Sequence, residues 1–167
     1  MKEIQFLVEK FNLEPHPEGG YFKETYRSAG TITNDSLPKN YKGERNYSTC
    51  IYFLLTSETF SAFHKIKQDE IWHFYAGSPL KLFMISDQGD YLEQIIGNDF
   101  ESGQLSQYVV PGGYWFAAKT IASNSYSFVG CTVSPGFDFE DFELADQRDL
   151  MNRFPKHAEI ISRLTRS

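Results

Sequence analysis

Between residues 47 and 133 the chain is cut into short apolar and aromatic runs by turns that recur about every ten residues. The runs are 47–55 (YSTCIYFLL), 61–66 (SAFHKI), 70–76 (EIWHFYA), 79–86 (PLKLFMIS), 91–96, 105–110, 114–118 and 126–133. Gly77-Ser78-Pro79, Asp87-Gln88-Gly89-Asp90, the 98–103 segment and Pro111-Gly112-Gly113 separate them. Each run is too short for an ordinary helix, and 61–66 and 70–76 alternate side-chain character from one residue to the next, the period of a strand. With 10 Tyr and 15 Phe, the chain has the aromatic strand faces that such an architecture buries. This pattern predicts an all-β sandwich or barrel.

The two ends read differently. Ile4, Leu7, Val8 and Phe11 recur at helical spacing, so 2–12 is expected to be an amphipathic helix stopped at Asn12. Pro15, Pro17 and Gly19-Gly20 exclude a helix in the next stretch and lead into a strand over 21–26. Residues 29–46 are polar and form a long exposed loop with a short strand at its start. After Ser134-Pro135-Gly136, helical periodicity reappears over 143–166 at Leu144, Leu150, Met151 and Phe154. It resumes after Pro155 at Ala158, Ile161 and Leu164. Asp138, Glu140, Asp141 and Glu143 are expected in a solvated loop whose carboxylates favour a helix N-terminus. The whole is one domain over 1–167, with core strands about 20–134.

A formal net charge of −6 and no basic stripe argue against nucleic-acid binding. The longest apolar run, 51–55, is too short to span a bilayer. MKEIQFLVEKF lacks the apolar core of a signal peptide, and the expectation is a soluble cytoplasmic protein. Cys50 and Cys131 both lie in apolar runs and read as buried free thiols. No phosphate-loop or dinucleotide fingerprint is present.

Candidate chemistry concentrates in 61–77. Pairing of the two runs across a polar turn at Gln68-Asp69 would place His64 and Glu70 on one shared inward face, with His73 turned outward. A carboxylate among Ile71, Trp72, Phe74 and Tyr75 needs a partner or a shifted pKa. His64 and Glu70 are thus the catalytic candidates, Glu70 orienting the imidazole that moves a proton. Trp72, Phe74, Tyr114 and Phe116 share the inward face and would wall an apolar pocket. Tyr21, Tyr52 and Tyr114 are candidates for a second acid. Arg27 either clamps an anionic ligand or pairs with Glu24 or the acidic C-terminal segment. His16 belongs to a turn, and His157 to an exposed helix.

The spacing of His64, Glu70 and Gly77 resembles the first motif of the cupin superfamily, H-x-H-x3-E-x6-G. Pro111-Gly112-Gly113 followed by Phe116 resembles the second, P-x-G-x2-H. Ile66 and Phe116 stand where that resemblance would place two metal-binding histidines. Two inward ligands are fewer than a firm metal site needs, so no metal or other cofactor is expected. The blocks HPEGGYFKETYR (16–27), STCIYFLL (48–55), FHKIKQDEIWHFYAG (63–77), VVPGGYWFAA (109–118) and FVGCTVSPGFDFEDFELA (128–145) are together similar to an uncharacterised cupin family (a domain of unknown function). That family is related in fold to dTDP-4-dehydrorhamnose 3,5-epimerase-like cupins. The resemblance implies a double-stranded β-helix, or jelly roll, usually dimeric. It also suggests a metal-independent isomerase or epimerase acting on a sugar or nucleotide-sugar. A non-catalytic cupin holding a small polar ligand, and a metal-dependent cupin with an altered ligand set, are the alternatives.

Overall fold

The computed structural model describes residues 2–166. In chain order it contains α1 (Lys2–Phe11), β1 (Glu14–Pro15), β2 (Tyr21–Arg27), β3 (Thr31–Ile32), β4 (Arg45–Asn46), β5 (Thr49–Thr56), β6 (Ser61–Lys65), β7 (Asp69–Gly77) and β8 (Leu80–Ile85). There follow β9 (Tyr91–Ile96), β10 (Gln107–Val110), β11 (Trp115–Thr120), β12 (Tyr126–Ser134), β13 (Glu143–Leu144), α2 (Gln147–Arg153) and α3 (Ala158–Arg163).

Two antiparallel sheets carry the fold. One has six strands in the order β1-β2-β5-β12-β7-β10, and the other five in the order β13-β6-β11-β8-β9. Their facing surfaces bury the main core. Phe53, Leu55, Trp72, Val129 and Cys131 from the first sheet meet Leu80, Leu82, Met84, Phe116 and Ala118 from the second. Each of the large side chains here contributes roughly 1.5–3 kcal/mol by leaving water.

Helices cover both outer faces, but Leu144, expected at the start of the C-terminal helical segment, lies in β13 and pairs with His64 of β6, so helix begins only at Gln147. Ile4, Leu7, Val8 and Phe11 of α1 pack on Leu54, Tyr126 and Phe128. The helix ends at Asn12, whose φ of 50° places it in the left-handed region that Asn tolerates. Leu150, Phe154, Ile161 and Leu164 of the C-terminal helices cover Phe63, Phe83, Ile85 and Trp115. No helix among the described residues is long and apolar enough to cross a membrane.

The expected hairpin of 61–66 with 70–76 does not form. β6 pairs with β11 and β13, whereas β7 pairs with β12 and β10. The three residues between them are held separately, which carries the chain from one sheet to the other. Ile66 is buried between the sheets, and its carbonyl accepts from Gly113 N at 2.8 Å. Gln68 is buried and donates to Asp141 Oδ2 at 2.7 Å, and Lys67 pairs with Asp141 Oδ1 at 2.8 Å. Asp69 accepts from Gly112 N at 2.8 Å.

Asp141 also departs from the solvated loop expected for the acid cluster. Its side chain is fully buried, with Arg45 Nε and Nη2 at 2.7 and 2.8 Å. Arg45 is buried as well. Burial pushes the Asp141 carboxyl up, but hydrogen bonds from Arg45, Lys67 and Gln68 outweigh it and hold the group below its ordinary value. The 29–46 segment is therefore no free loop: its β3–β4 ribbon delivers Arg45 inward. His157 is half-buried, not exposed, with Nε2 2.8 Å from the Gly89 carbonyl and its ring stacked on Tyr91. Cys50 and Cys131 are both unpaired thiols; Cys131 is buried as expected, whereas Cys50 is only half-buried.

Removing one partner from a buried charge cluster leaves the others uncompensated. Asp141→Asn is expected to lower unfolding stability by about 3–5 kcal/mol in urea melts at neutral pH, with Arg45→Met recovering part of the loss in the double variant. Because the Asp141 pKa is depressed, its contribution is present above the unfolded carboxyl value and lost as pH falls through the folded one. The gap between wild type and D141N should narrow below about pH 4.

Candidate functional site

A cavity of about 280 Å³ opens between the two sheets. Thr49, Ile51 and Phe53 of β5, Glu70 of β7, and Cys131 and Val133 of β12 form one wall, with Phe22 of β2. His64 of β6 and the adjoining Ile66 stand in the opposite one. Phe137, Asp138, Phe139 and Phe142 come from a strap, 135–142, that crosses the open side after the cis Ser134–Pro135 bond. His16 and Glu18 enter from the turn before β2. Two backbone hydrogen bonds close that turn, His16 N to Gly20 O and Gly19 N to His16 O, each 3.0 Å. Gly19 and Gly20 supply its positive φ angles of 118° and 75°.

His64 has one assignable tautomer. Its Nδ1 lies 2.7 Å from the Ala62 carbonyl, which only accepts, so Nδ1 carries a proton. Nε2 then faces Glu18 Oε2 at 3.0 Å, and one proton occupies that line. Burial lowers the His64 pKa, against the opposing pull of Glu70 and the Ala62 carbonyl. Burial raises that of Glu18, against His16, Ser61 and Arg166. Both directions favour the proton on Glu18, giving a neutral carboxyl that donates to a neutral imidazole. Ser61 Oγ donates to Glu18 Oε1 at 2.8 Å and fixes the carboxyl plane. His16 Nδ1 accepts from the Glu18 backbone N–H at 3.3 Å, and burial lowers its pKa too.

Glu70 is the other acid. It is 8% exposed and lines the cavity, and among the described residues only the Cys131 thiol hydrogen-bonds to its carboxyl. Burial pushes its pKa up to about 7, aided by the charge of Glu18 and opposed by His64 and the thiol. Burial and the adjacent Glu70 push the Cys131 thiol well up, so it is no nucleophile near neutral pH.

The structure brings together three of the residues expected at a site: His64, Glu70 and Arg27. The carboxyl bonded to His64, however, is Glu18 and not Glu70. Arg27 stands at the cavity mouth and is already engaged. It binds Glu24 through two hydrogen bonds of 3.0 and 2.7 Å, and also reaches Asn46 Oδ1 and the Phe137 carbonyl.

The other expected ligand contacts lie elsewhere. Tyr21 and Tyr52 face outward and pack beneath α1. Trp72 and Phe116 are 1% exposed in the main core, and Phe74 and Tyr114 pack against that core, none of them lining the cavity. Phe116 stands level with His64, and Trp72 with Cys131, two residues of the cavity wall, so core packing and not position along the strand keeps these rings out of the hollow; Tyr114 lies just before β11. Phe116 acts on the site indirectly, its ring centroid 4.1 Å from that of His64. His73 is on the outer face, with Nε2 3.0 Å from Thr132 Oγ1.

Sequence reasoning missed Glu18 and the strap aromatics. The signal for Glu18 was its place before Gly19-Gly20, a turn sharp enough to drive a charged side chain inward. That for the strap was the Phe spacing in FDFEDF, which follows neither strand nor helix periodicity. Among the described residues no set of three or more His, Cys, Asp or Glu side chains is arranged to hold a metal ion. Ile66 and Phe116 present only hydrocarbon at two of the cupin ligand positions, so the donor set does not fit a cupin metal centre.

A jelly roll of two facing sheets with a side-chain-lined hollow between them defines the cupin class. The chain belongs to the Cupin superfamily (DUF985) family, which it matches over residues 5–145. It is similar to a hypothetical protein from Leishmania major, at 36% identity and a TM-score of 0.89, covering 98% of each chain. A Shewanella oneidensis protein of known structure gives 36% identity and a TM-score of 0.85, over 96% of this chain and 95% of that one. An uncharacterized protein of Saccharomyces cerevisiae is 34% identical over 147 residues, 83% of this chain and 73% of the relative. Oxalate decarboxylase of Bacillus subtilis shares the fold alone, at 14% identity and a TM-score of 0.53 over 90% of this chain and 36% of that one.

Glu70 leaves a thermodynamic signature. Its folded pKa of about 7 exceeds its ordinary value of 4.5, so the native state binds the extra proton between those values. Stability from this group is therefore present at low pH and lost as pH rises through about 7, by about 3 kcal/mol in all. Urea melts across that window should show wild type losing stability relative to Glu70→Gln as pH rises, because the glutamine does not titrate.

Proposed function

We propose that the cavity binds a small polar, sugar-sized molecule and moves a proton at a carbon next to a carbonyl, an isomerase- or epimerase-type reaction without a metal. The observation that carries this reading is the placement of the acid–base groups on opposing walls. His64 belongs to the five-stranded sheet and Glu70 to the six-stranded one, yet both face one cavity. Inverting a carbon centre requires a base on one side and an acid on the other. A hairpin would have set both groups on one wall.

In this scheme Glu70, ionised in part near neutral pH, removes the proton of the C–H bond. The bonding pair moves into the carbonyl to give an enolate, whose oxygen lies in a largely apolar chamber. His64 Nε2 takes the Glu18 proton, swings from that carboxylate to the substrate and returns the proton to the opposite face of the carbon, and the carbonyl re-forms. Run in reverse, the roles exchange. The volume of about 280 Å³ falls just short of the range of roughly 300–1,000 Å³ for drug-sized ligands. A monosaccharide fits such a space, and a linked nucleotide would project past Arg27 and Phe139 at the mouth. The resemblance of the sequence blocks to epimerase-like cupins supports the reading as analogy alone.

A binding role without chemistry uses the same cavity, and the closed hydrogen bond between His64 and Glu18 favours it. The reading also has the protein as a cytoplasmic homodimer. Its two unpaired thiols suit a reducing compartment. Tyr75 and Val109, exposed on the outer face near His73, are candidate dimer contacts.

The test is exchange of substrate C–H for deuterium in D₂O, followed by NMR across a panel of keto and aldehydo sugars. His64→Asn and Glu70→Gln are each expected to slow exchange by roughly 10²–10⁴-fold while ligand binding persists. Exchange that survives both substitutions removes these residues from the mechanism, and wild-type binding without exchange selects the binding role.

A further inference from the structure

We infer that the ligand this cavity is built for carries a positive charge, an amine or ammonium group on a frame of sugar or amino-acid size. The inference deepens the reading above and rests on its premise that the cavity receives a small molecule.

Acids around the hollow outnumber strong bases. Glu24, Glu70 and Asp138 line it together with the protonated Glu18, and among the described residues Arg27 is the one lysine or arginine that does. That guanidinium is consumed by two hydrogen bonds to Glu24 and further bonds to the Phe137 carbonyl, so an anionic ligand would find no free lysine or arginine among the described residues that line the cavity. Neither histidine replaces it, because burial holds both below their ordinary pKa. Arg166 reaches the Glu18 backbone carbonyl but does not line the cavity.

Glu70 itself is the second observation. Buried carboxyls in this chain are otherwise well furnished. Asp141 collects Arg45, Lys67 and Gln68, and Glu18 collects Ser61 and His64. Glu70, more than nine-tenths buried and lining the hollow, has among the described residues no hydrogen-bond partner but the Cys131 thiol, a weak donor. A buried polar group left this short of partners is costly unless something else completes it. A cation beside Glu70 completes it, and the surrounding walls suit the same guest. The rings of Phe22, Phe53, Phe137, Phe139 and Phe142 offer faces that attract a desolvated cation.

The experiment is an NMR titration of the folded protein with three near-isosteric probes that differ in charge: tetramethylammonium, tert-butanol and pivalate. Tetramethylammonium is expected to bind at least about tenfold more tightly than tert-butanol, and pivalate the most weakly. Glu70→Gln should bring the cation to within about twofold of tert-butanol. Should that variant fail to fold, Phe137→Leu serves instead, and should weaken the cation more than the alcohol. Pivalate binding as tightly as the cation, three indistinguishable probes, or no binding of the cation would each overturn the inference. It separates cleanly from the proton-transfer reading. Exchange on a neutral or anionic sugar with no cation preference sinks this inference alone, and cation binding without exchange sinks only the other.

Discussion

The charge cluster at Asp141 is the constraint on which the site depends. It ties together three segments far apart in sequence: the loop that delivers Arg45, the crossing at Lys67 and Gln68, and the strap that ends in Asp141 itself. The crossing separates His64 from Glu70 onto different sheets, and the strap brings Phe137, Phe139 and Phe142 over the gap between them. A buried ion cluster of this kind adds little net stability, since taking its charges out of water offsets most of their attraction. Its effect is geometric. With these donors aimed at one carboxylate, the strap and the crossing have one mutual arrangement, and the cavity between them has one shape.

Much of the architecture was legible because it is written locally. Alternation and turn residues locate the main strands, and helical spacing locates α1 and the C-terminal helices. Parity alone also turns His64 and Glu70 inward. What parity does not give is which strand lies alongside. The polar run Gln68-Asp69 looks like a hairpin turn, and only partners such as Asp141 and Gly112, more than forty residues away, make it a crossing.

Parity also gives a face but not what that face packs against. Trp72 and Phe116 stand level with Cys131 and His64 of the cavity wall yet are taken up by the core, against which Phe74 and Tyr114 also pack. At β2 an irregularity intervenes. The register against β5 shifts between Glu24 and Tyr26, so Glu24 and Arg27, three residues apart, both reach the cavity. A strictly alternating strand would send them to opposite sides. Glu18 was hidden for another reason: a turn has no period, and its side-chain direction follows from the positive φ angles of the glycines after it.

The two kinds of buried acid in this chain separate structure from chemistry. Asp141 is surrounded by cations and stays ionised, because its partners replace the water it gave up. Glu18 and Glu70 face aromatic rings and one another, and burial drives both toward their protonated forms. The same surroundings drive His16 and His64 toward neutrality. The cavity therefore holds its protons on carboxyls and keeps its imidazoles neutral, at little electrostatic cost to the fold. A group poised this way changes protonation state when a charged or polarisable guest arrives, which a saturated ion pair such as Asp141 with Arg45 does not do. The folded chain tolerates an under-partnered Glu70 because the core beside it, from Phe53 and Trp72 to Phe116, is tightly buried. Gln68 Oε1, Trp72 Nε1 and Trp115 Nε1 are also buried without a hydrogen-bond partner, but Glu70 is the under-partnered acid that lines the cavity, and a breach of polar satisfaction there marks where a fold trades stability for chemistry.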